Sequence, residues 1–167
     1  MLTEYPLDRV AILEYARKWA FERNPAFYDF SSLGGDCTNF VSQCLYAGGA
    51  VMNGTPDTGW YYYSLDNRSP SWTGVEFFYD FLVNNRGVGP FGVEIPTEEV
   101  QLGDIIQLGR ENRFYHSLLV VDKIDGMPYV AAHSKDVYRM PLYGYIYERS
   151  RGIHILGSRK FETDLPQ

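Results

Sequence analysis

Cysteine and histidine are scarce in this sequence: two of one and three of the other in 167 residues. Neither the C-x-x-C nor the H-x-x-x-H spacing of a zinc site occurs, so no metal site is expected. No apolar run approaches the ~20 residues that a membrane helix needs, which excludes a bilayer-spanning helix. The opening MLTEYPLDRV has neither a basic stretch nor an apolar one and does not read as a secretory signal. The chain as written is therefore expected in the cytoplasm, or in the cell wall or outside the cell if a leader preceded this numbering. Positive charge is also short, 15 Lys and Arg against 21 Asp and Glu, for a net charge of −6. That balance argues against nucleic acid as a partner. Repeats and low-complexity tracts are missing, and the length reads as one domain over residues 1–167.

Aromatic residues are plentiful. They make up 16% of the chain, with 14 Tyr and 3 Trp. Such side chains suit a core rim or a groove for a peptide or sugar. Helical periodicity comes first along the chain. Residues 8–22 carry an apolar stripe at Ile12, Leu13, Ala16, Trp19 and Ala20, with Asp8 able to cap it. In GGDCTNFVSQCLYAGG, Cys37, Phe40, Val41, Cys44 and Gly48 share one helical face, closed by Gly48-Gly49. Residues 50–72 form a long loop rich in aromatics, and a third helix is predicted from Thr73 to Gly87, with Thr73 and Glu76 as a capping box. Strand patterns follow at 103–109, 116–123, 127–134, 142–148 and 152–157, and Asp125-Gly126 signals a hairpin between the second and third. Helices then strands imply an α+β fold, with the helices on one side of an antiparallel sheet.

The two cysteines lie seven residues apart in one predicted helix, which separates them by about 10 Å of rise. A disulfide needs Cα atoms within about 7 Å, so they cannot pair while that helix stands. Cys44, mid-helix beside apolar neighbours, reads as a packing residue. Cys37 follows Gly34-Gly35-Asp36 and opens the helix, where free N–H groups and the helix dipole favour a thiolate and can hold an oxyanion. A nucleophilic thiol is the reading this context supports, against a buried inert one.

A nucleophile needs a base. If Asp125-Gly126 is a two-residue turn, Ile124 faces Met127 and His133 lies opposite Leu118. His116 has the parity of Leu118, so both histidines would share one face as diagonal neighbours, ~7 Å apart at Cα. A slip of one residue would split them. Two imidazoles on one face suggest a base, His116, and its orienter, His133. His154 has no such partner and reads as structural or exposed.

These segments, together with SWTGV, LGDIIQL, HSLLVV and YVAAHS, resemble the putative amidase domain family, which is related to NlpC-type and cysteine, histidine-dependent amidohydrolases of the papain-like superfamily. The likeness runs from YARKWA to Ser134. It implies a papain-like fold and a cysteine amidohydrolase or peptidase without cofactor. By matching position, Cys37 is the nucleophile, His116 the base and His133 the orienting residue, with Asp136 as the fallback. The resemblance also suggests Tyr28 as an aid to the oxyanion hole, while Asp36, Trp60 and Trp72 are candidates for lining the substrate groove. Gly103-Asp104 resembles the family's Gly-Asp, although a turn that starts a strand is the better reading. The expected substrate is a peptide amide, in peptidoglycan by resemblance. A papain-like acyltransferase and a silent peptide- or glycan-binding module are the alternatives.

Overall fold

The helix that carries both cysteines, α2 (Cys37–Ala47), is buried on every side from Cys37 to Leu45. A helix so enclosed must satisfy its polar side chains internally. Thr38 reaches Ser117 Oγ at 2.9 Å, Gln43 Oε1 accepts from the Tyr15 hydroxyl at 2.6 Å, and Ser42 donates to the Trp72 carbonyl at 2.9 Å. The computed structural model describes residues 1–162.

Packed against α2 is α1 (Arg9–Trp19), capped by Asp8, whose carboxylate accepts from Ala11 N. It ends three residues short of the predicted Glu22. The predicted third helix is broken in two: a single turn, α3 (Pro70–Thr73), and α4 (Val75–Asn84). Gly74 takes an extended backbone between them, and Pro70 starts the turn earlier than the capping box predicts. Glu76 caps nothing; it accepts instead from Phe114 N at 2.8 Å.

The sheet has seven antiparallel strands. In chain order these are β1 (Leu2–Tyr5), β4 (Gly89–Ile95), β5 (Ile105–Arg110), β6 (Arg113–Ile124), β7 (Met127–Ala132), β8 (Val137–Pro141) and β9 (Arg149–Phe161); β2 (Tyr62–Ser64) and β3 (Asn67–Arg68) form a separate small hairpin. The order is β1-β9-β5-β6-β7-β8, with β4 also paired to β9. The fold class is α+β, helices early and sheet late. Sequence patterning missed β1, β4 and β8 and the small β2–β3 hairpin, and the strand predicted at 142–148 is a 3₁₀ turn at Leu142–Gly144 followed by coil. Alternation divides the apolar residues between faces. Ile105, Leu119, Ala131 and Ile153 meet the helices, while Ile106, Leu108, Leu118, Val120 and Val130 build a second cluster on the other face, closed by Leu142.

The Asp125-Gly126 turn forms as predicted. Both residues have positive φ (50° and 81°), and Ile124 pairs with Met127. Further along, a bulge at Val121 shifts the register: Asp122 pairs with Tyr129, but Val120 pairs with Val130.

The indoles of Trp60 and Trp72 are fully buried and lie 4.5 Å apart between centroids. Trp60 Nε1 donates to Ser42 Oγ at 3.1 Å and Trp72 Nε1 to Asn39 Oδ1 at 3.0 Å. The aromatic loop is therefore a clamp on α2. This corrects the expectation that these two side chains line a groove, since neither ring has a face left for a ligand.

Asp104 is the latch between α1 and the sheet. Fully buried, its carboxylate accepts from Arg9 Nη1 at 2.9 Å, His154 Nδ1 at 2.9 Å, Gln101 N at 2.8 Å and Ile155 N at 3.1 Å. This accounts for Gly103-Asp104 and for His154 in structural terms. Asp104→Ala strands those donors and should cost about 3–5 kcal/mol. Urea unfolding checks this, as a fall in midpoint with unchanged slope.

Candidate active site

The turn into α2 runs through two consecutive positive φ angles, 84° at Gly34 and 101° at Gly35. Among the described residues nothing lies within 4 Å of where a Cβ would stand on either, so it is the positive φ, not crowding, that calls for glycine there. Asp36 occupies the N-cap position, yet its side chain makes no cap bond. One oxygen accepts from Phe30 N and from Asn39 Nδ2, both at 2.8 Å, and the other lies 2.6 Å from His133 Nδ1. The first turn of α2 therefore has no side-chain cap from Asp36.

Cys37 is 8% exposed. Burial pushes its thiol pKa up; the Ser117 and Thr38 N–H groups and the Thr38 hydroxyl, 3.8 Å away, offset only part of that, and the Asp36 charge adds to the rise. The helix N-terminus was expected to lower this pKa. Desolvation outweighs it. Cys44, completely enclosed, is pushed well up by burial, as befits a packing thiol.

His116 lies in β6, paired with Leu108 and next to Ser117, whose N–H faces the thiol. Its ring is nearly enclosed, and burial pushes its pKa down to about 4. Tyr145 packs against it in a T-shaped contact, with centroids 5.7 Å apart. A Cys37 thiolate is close enough to Tyr145 to help raise the phenol's pKa, second to burial. Cys37 and His116 thus share two neighbours, Ser117 and Tyr145. No hydrogen bond joins sulfur to imidazole among the described residues, and both groups are neutral at rest.

His133 does not orient His116. The bulge at Val121 is the one-residue slip that splits the pair: Leu119 pairs with Ala131, and extending that register brings Ser117, not Leu118, opposite His133. His133 instead turns to the helices, Nδ1 to Asp36 and Nε2 to the Trp19 carbonyl at 2.7 Å, with its ring stacked on Phe40 at 4.1 Å. Because α1 stops there, that carbonyl has no i+4 helical partner; it takes Glu22 N at 3.2 Å as well as the imidazole. The same slip carries Ser134 to His116, its Oγ 3.4 Å from each ring nitrogen. Asp136, the fallback, is held by Arg23 at 2.9 and 3.0 Å.

The remaining candidates, Asp36 and Tyr28, make their contacts with other groups. Asp36 is 1% exposed with its oxygens engaged, so it supports the site rather than touching a ligand. Tyr28 is partly exposed, its ring on Phe30, its N–H donating to the Tyr62 hydroxyl and its carbonyl accepting from Asn39. Sequence reasoning missed Ser134 and Tyr145. The first was one register step from discovery; the second sat in a segment read as an ordinary strand. A cavity of about 580 Å³ opens elsewhere, walled by Asn53, Asp57, Phe77, Asp80, Phe81 and Arg86 among others, and includes neither Cys37 nor His116. No group of three or more His, Cys, Asp or Glu suited to a metal ion occurs among the described residues, and no helix there is long and apolar enough to cross a membrane.

An α+β chain with an enclosed thiol at a helix start and an imidazole one residue from its hydrogen-bond donor has the parts of an acyl-transfer site. The chain belongs to the family described as "Putative amidase domain", which matches residues 6–156. It is 38% identical over 147 residues to "Uncharacterized protein YhbB" of Bacillus subtilis (strain 168), covering 84% of this chain and 45% of that protein. To "Uncharacterized protein YjcM" of the same organism it is 24% identical over 140 residues, covering 78% of this chain and 32% of that protein. The chain thus spans less than half the length of these curated relatives. No solved structure matches it.

The depressed imidazole has a consequence for stability. Between pH 4 and the ordinary value of 6.5, the unfolded chain binds a proton that folded His116 refuses, so stability holds above 6.5 and falls as pH drops toward 4. From pH 7 to pH 4.5 this should remove roughly 2 kcal/mol. His116→Gln should lose that much less over the same interval, read from urea midpoints at the two pH values.

Proposed function

We propose that this chain is a cysteine amidohydrolase on a papain-like arrangement of helices and sheet. The observation that carries the reading is the juxtaposition at the start of α2: the buried Cys37 thiol, 3.8 Å from a Thr38 hydroxyl that itself lies 2.9 Å from Oγ of Ser117, the residue after His116, in a chain of an amidase family.

The thiol rests protonated. As a substrate carbonyl arrives, His116 takes the thiol proton and sulfur attacks the carbonyl carbon, its electron pair forming the C–S bond while the carbonyl π pair moves onto oxygen. The N–H groups at the head of α2 offset that negative charge. When the oxyanion collapses, the C–N bond breaks and the amine leaves with the proton from His116. Water then gives a proton to His116, attacks the thioester and releases the acid, and the proton returns to sulfur. Ser134 Oγ, within reach of the imidazole, orients it in place of the expected second histidine. Asp36 and His133 hold the helix start still without touching substrate. The enclosed, neutral pair fits a mechanism in which charge develops only with substrate bound, where a dry site gives hydrogen bonds their largest effect.

The substrate class we propose is a peptide amide of cell-wall material. Purified peptidoglycan sacculi, assayed for release of new amino groups, test it. Cys37→Ala should abolish release, and His116→Ala should lower kcat by about 10² to 10⁴-fold. Because His116 titrates near 4, kcat/KM should stay level from pH 7 to 5 and fall only below that. Full release by the Cys37→Ala protein would end the thiol reading. Hydroxamate in place of free acid when hydroxylamine is added would point to a transferase.

A further inference from the structure

The Tyr145 hydroxyl is a buried oxygen with no hydrogen-bond partner among the described residues. A phenol enclosed in this way forgoes water, at a cost of about 1–3 kcal/mol, unless something else bonds it. The residue is not a core filler. Its ring packs at the edge of the second apolar cluster and against His116, with centroids 5.7 Å apart, and it lies near enough to Cys37 for a charge on that sulfur to raise the phenol. Elsewhere in this interior, orphaned polar groups are avoided with care: Ser42, Asn39, Gln43, Ser117 and Gln107 all have partners. Among the described residues only two buried side-chain oxygens lack a partner, Thr3 Oγ1 on the edge strand β1 and the Tyr145 hydroxyl beside His116.

From this geometry we infer that the Tyr145 hydroxyl is an oxyanion donor, held free so that its partner is the carbonyl oxygen of the acyl group on Cys37. This rests on Cys37 acting as the nucleophile, and it adds a residue that the motif-bearing half of the chain does not contain. The charge balance is simple. As sulfur bonds to the carbonyl carbon, the displaced π pair sits on oxygen, and the phenol donates a hydrogen bond to it without giving up its proton. Burial raises the phenol to about 12, so it remains a donor across the whole working range. Tyr28, the residue expected in this role, has its backbone committed to Tyr62 and Asn39 and its ring to Phe30.

The test separates oxyanion formation from thiol reactivity. p-Nitrophenyl acetate acylates a thiol through a tetrahedral oxyanion; iodoacetamide alkylates it by displacement at a saturated carbon, with none. Tyr145→Phe removes only the hydroxyl. It should slow the p-nitrophenol burst by about 10²-fold while leaving the iodoacetamide rate at Cys37, read by peptide mass, within twofold of wild type. Its thermal midpoint should equal or exceed that of wild type, because a buried unpaired group has gone. A burst unchanged in Tyr145→Phe but absent in Cys37→Ala would overturn the role of Tyr145 and leave the nucleophile standing. A burst that persists in Cys37→Ala would overturn both. Equal slowing of acylation and alkylation would reduce Tyr145 to a packing residue.

Discussion

Everything near the candidate site hangs on the carboxylate of Asp36. A charge at 1% exposure needs partners from every side, and Asp36 draws them from four parts of the chain: Phe30 N from the preceding loop, Asn39 from α2, His133 from beyond β7 and, at 3.5 Å, Arg23 after α1. Removing any of them would leave a buried charge undercompensated, at a cost of several kcal/mol. The loop, the helix and the hairpin are thus tied at one point, a single residue from the thiol. Because its oxygens are spent in this way, Asp36 does not cap α2, and the first turn that carries the thiol is left without a side-chain cap.

The second constraint is enclosure. With α2 surrounded, the aromatic loop must cover the side that the sheet and α1 do not, and it does so by hydrogen-bonding its indoles to Asn39 and Ser42 as well as by area. The same enclosure sets the electrostatics. It raises the thiol, lowers the imidazole and keeps the pair neutral, against the helix dipole that alone would favour a thiolate. On the proposed reading, the protein keeps its charges unformed until a substrate carbonyl can receive them.

Much of this was legible in the sequence. The helical face of Cys37, Phe40, Val41 and Cys44 and the Asp125-Gly126 hairpin come from period and turn chemistry, which are local. So does the contrast between the two thiols, one at a helix start and one in its middle. The strand at 142–148 was misread because Tyr and Ile suit a strand wherever they fall, while Pro141 and Gly144 favoured a turn. Trp60 and Trp72 were ambiguous in principle, since an indole serves a groove or a core equally well.

What the sequence by itself determined is the set of local geometries: where α2 begins, that its first side chain is a thiol, that two glycines of positive φ precede it, and that helices come before a sheet. What only the tertiary structure decided is partnership. One extra residue at Val121 exchanged His133 for Ser134 beside His116 and sent His133 to Asp36. A segment more than a hundred residues after Cys37 brought Tyr145 to it. A bulge is a small departure from strand geometry with little signature in composition, yet it reverses the side of every residue beyond it. Long-range packing has no signature at all in residue spacing, because it depends on how the faces of finished elements fit together.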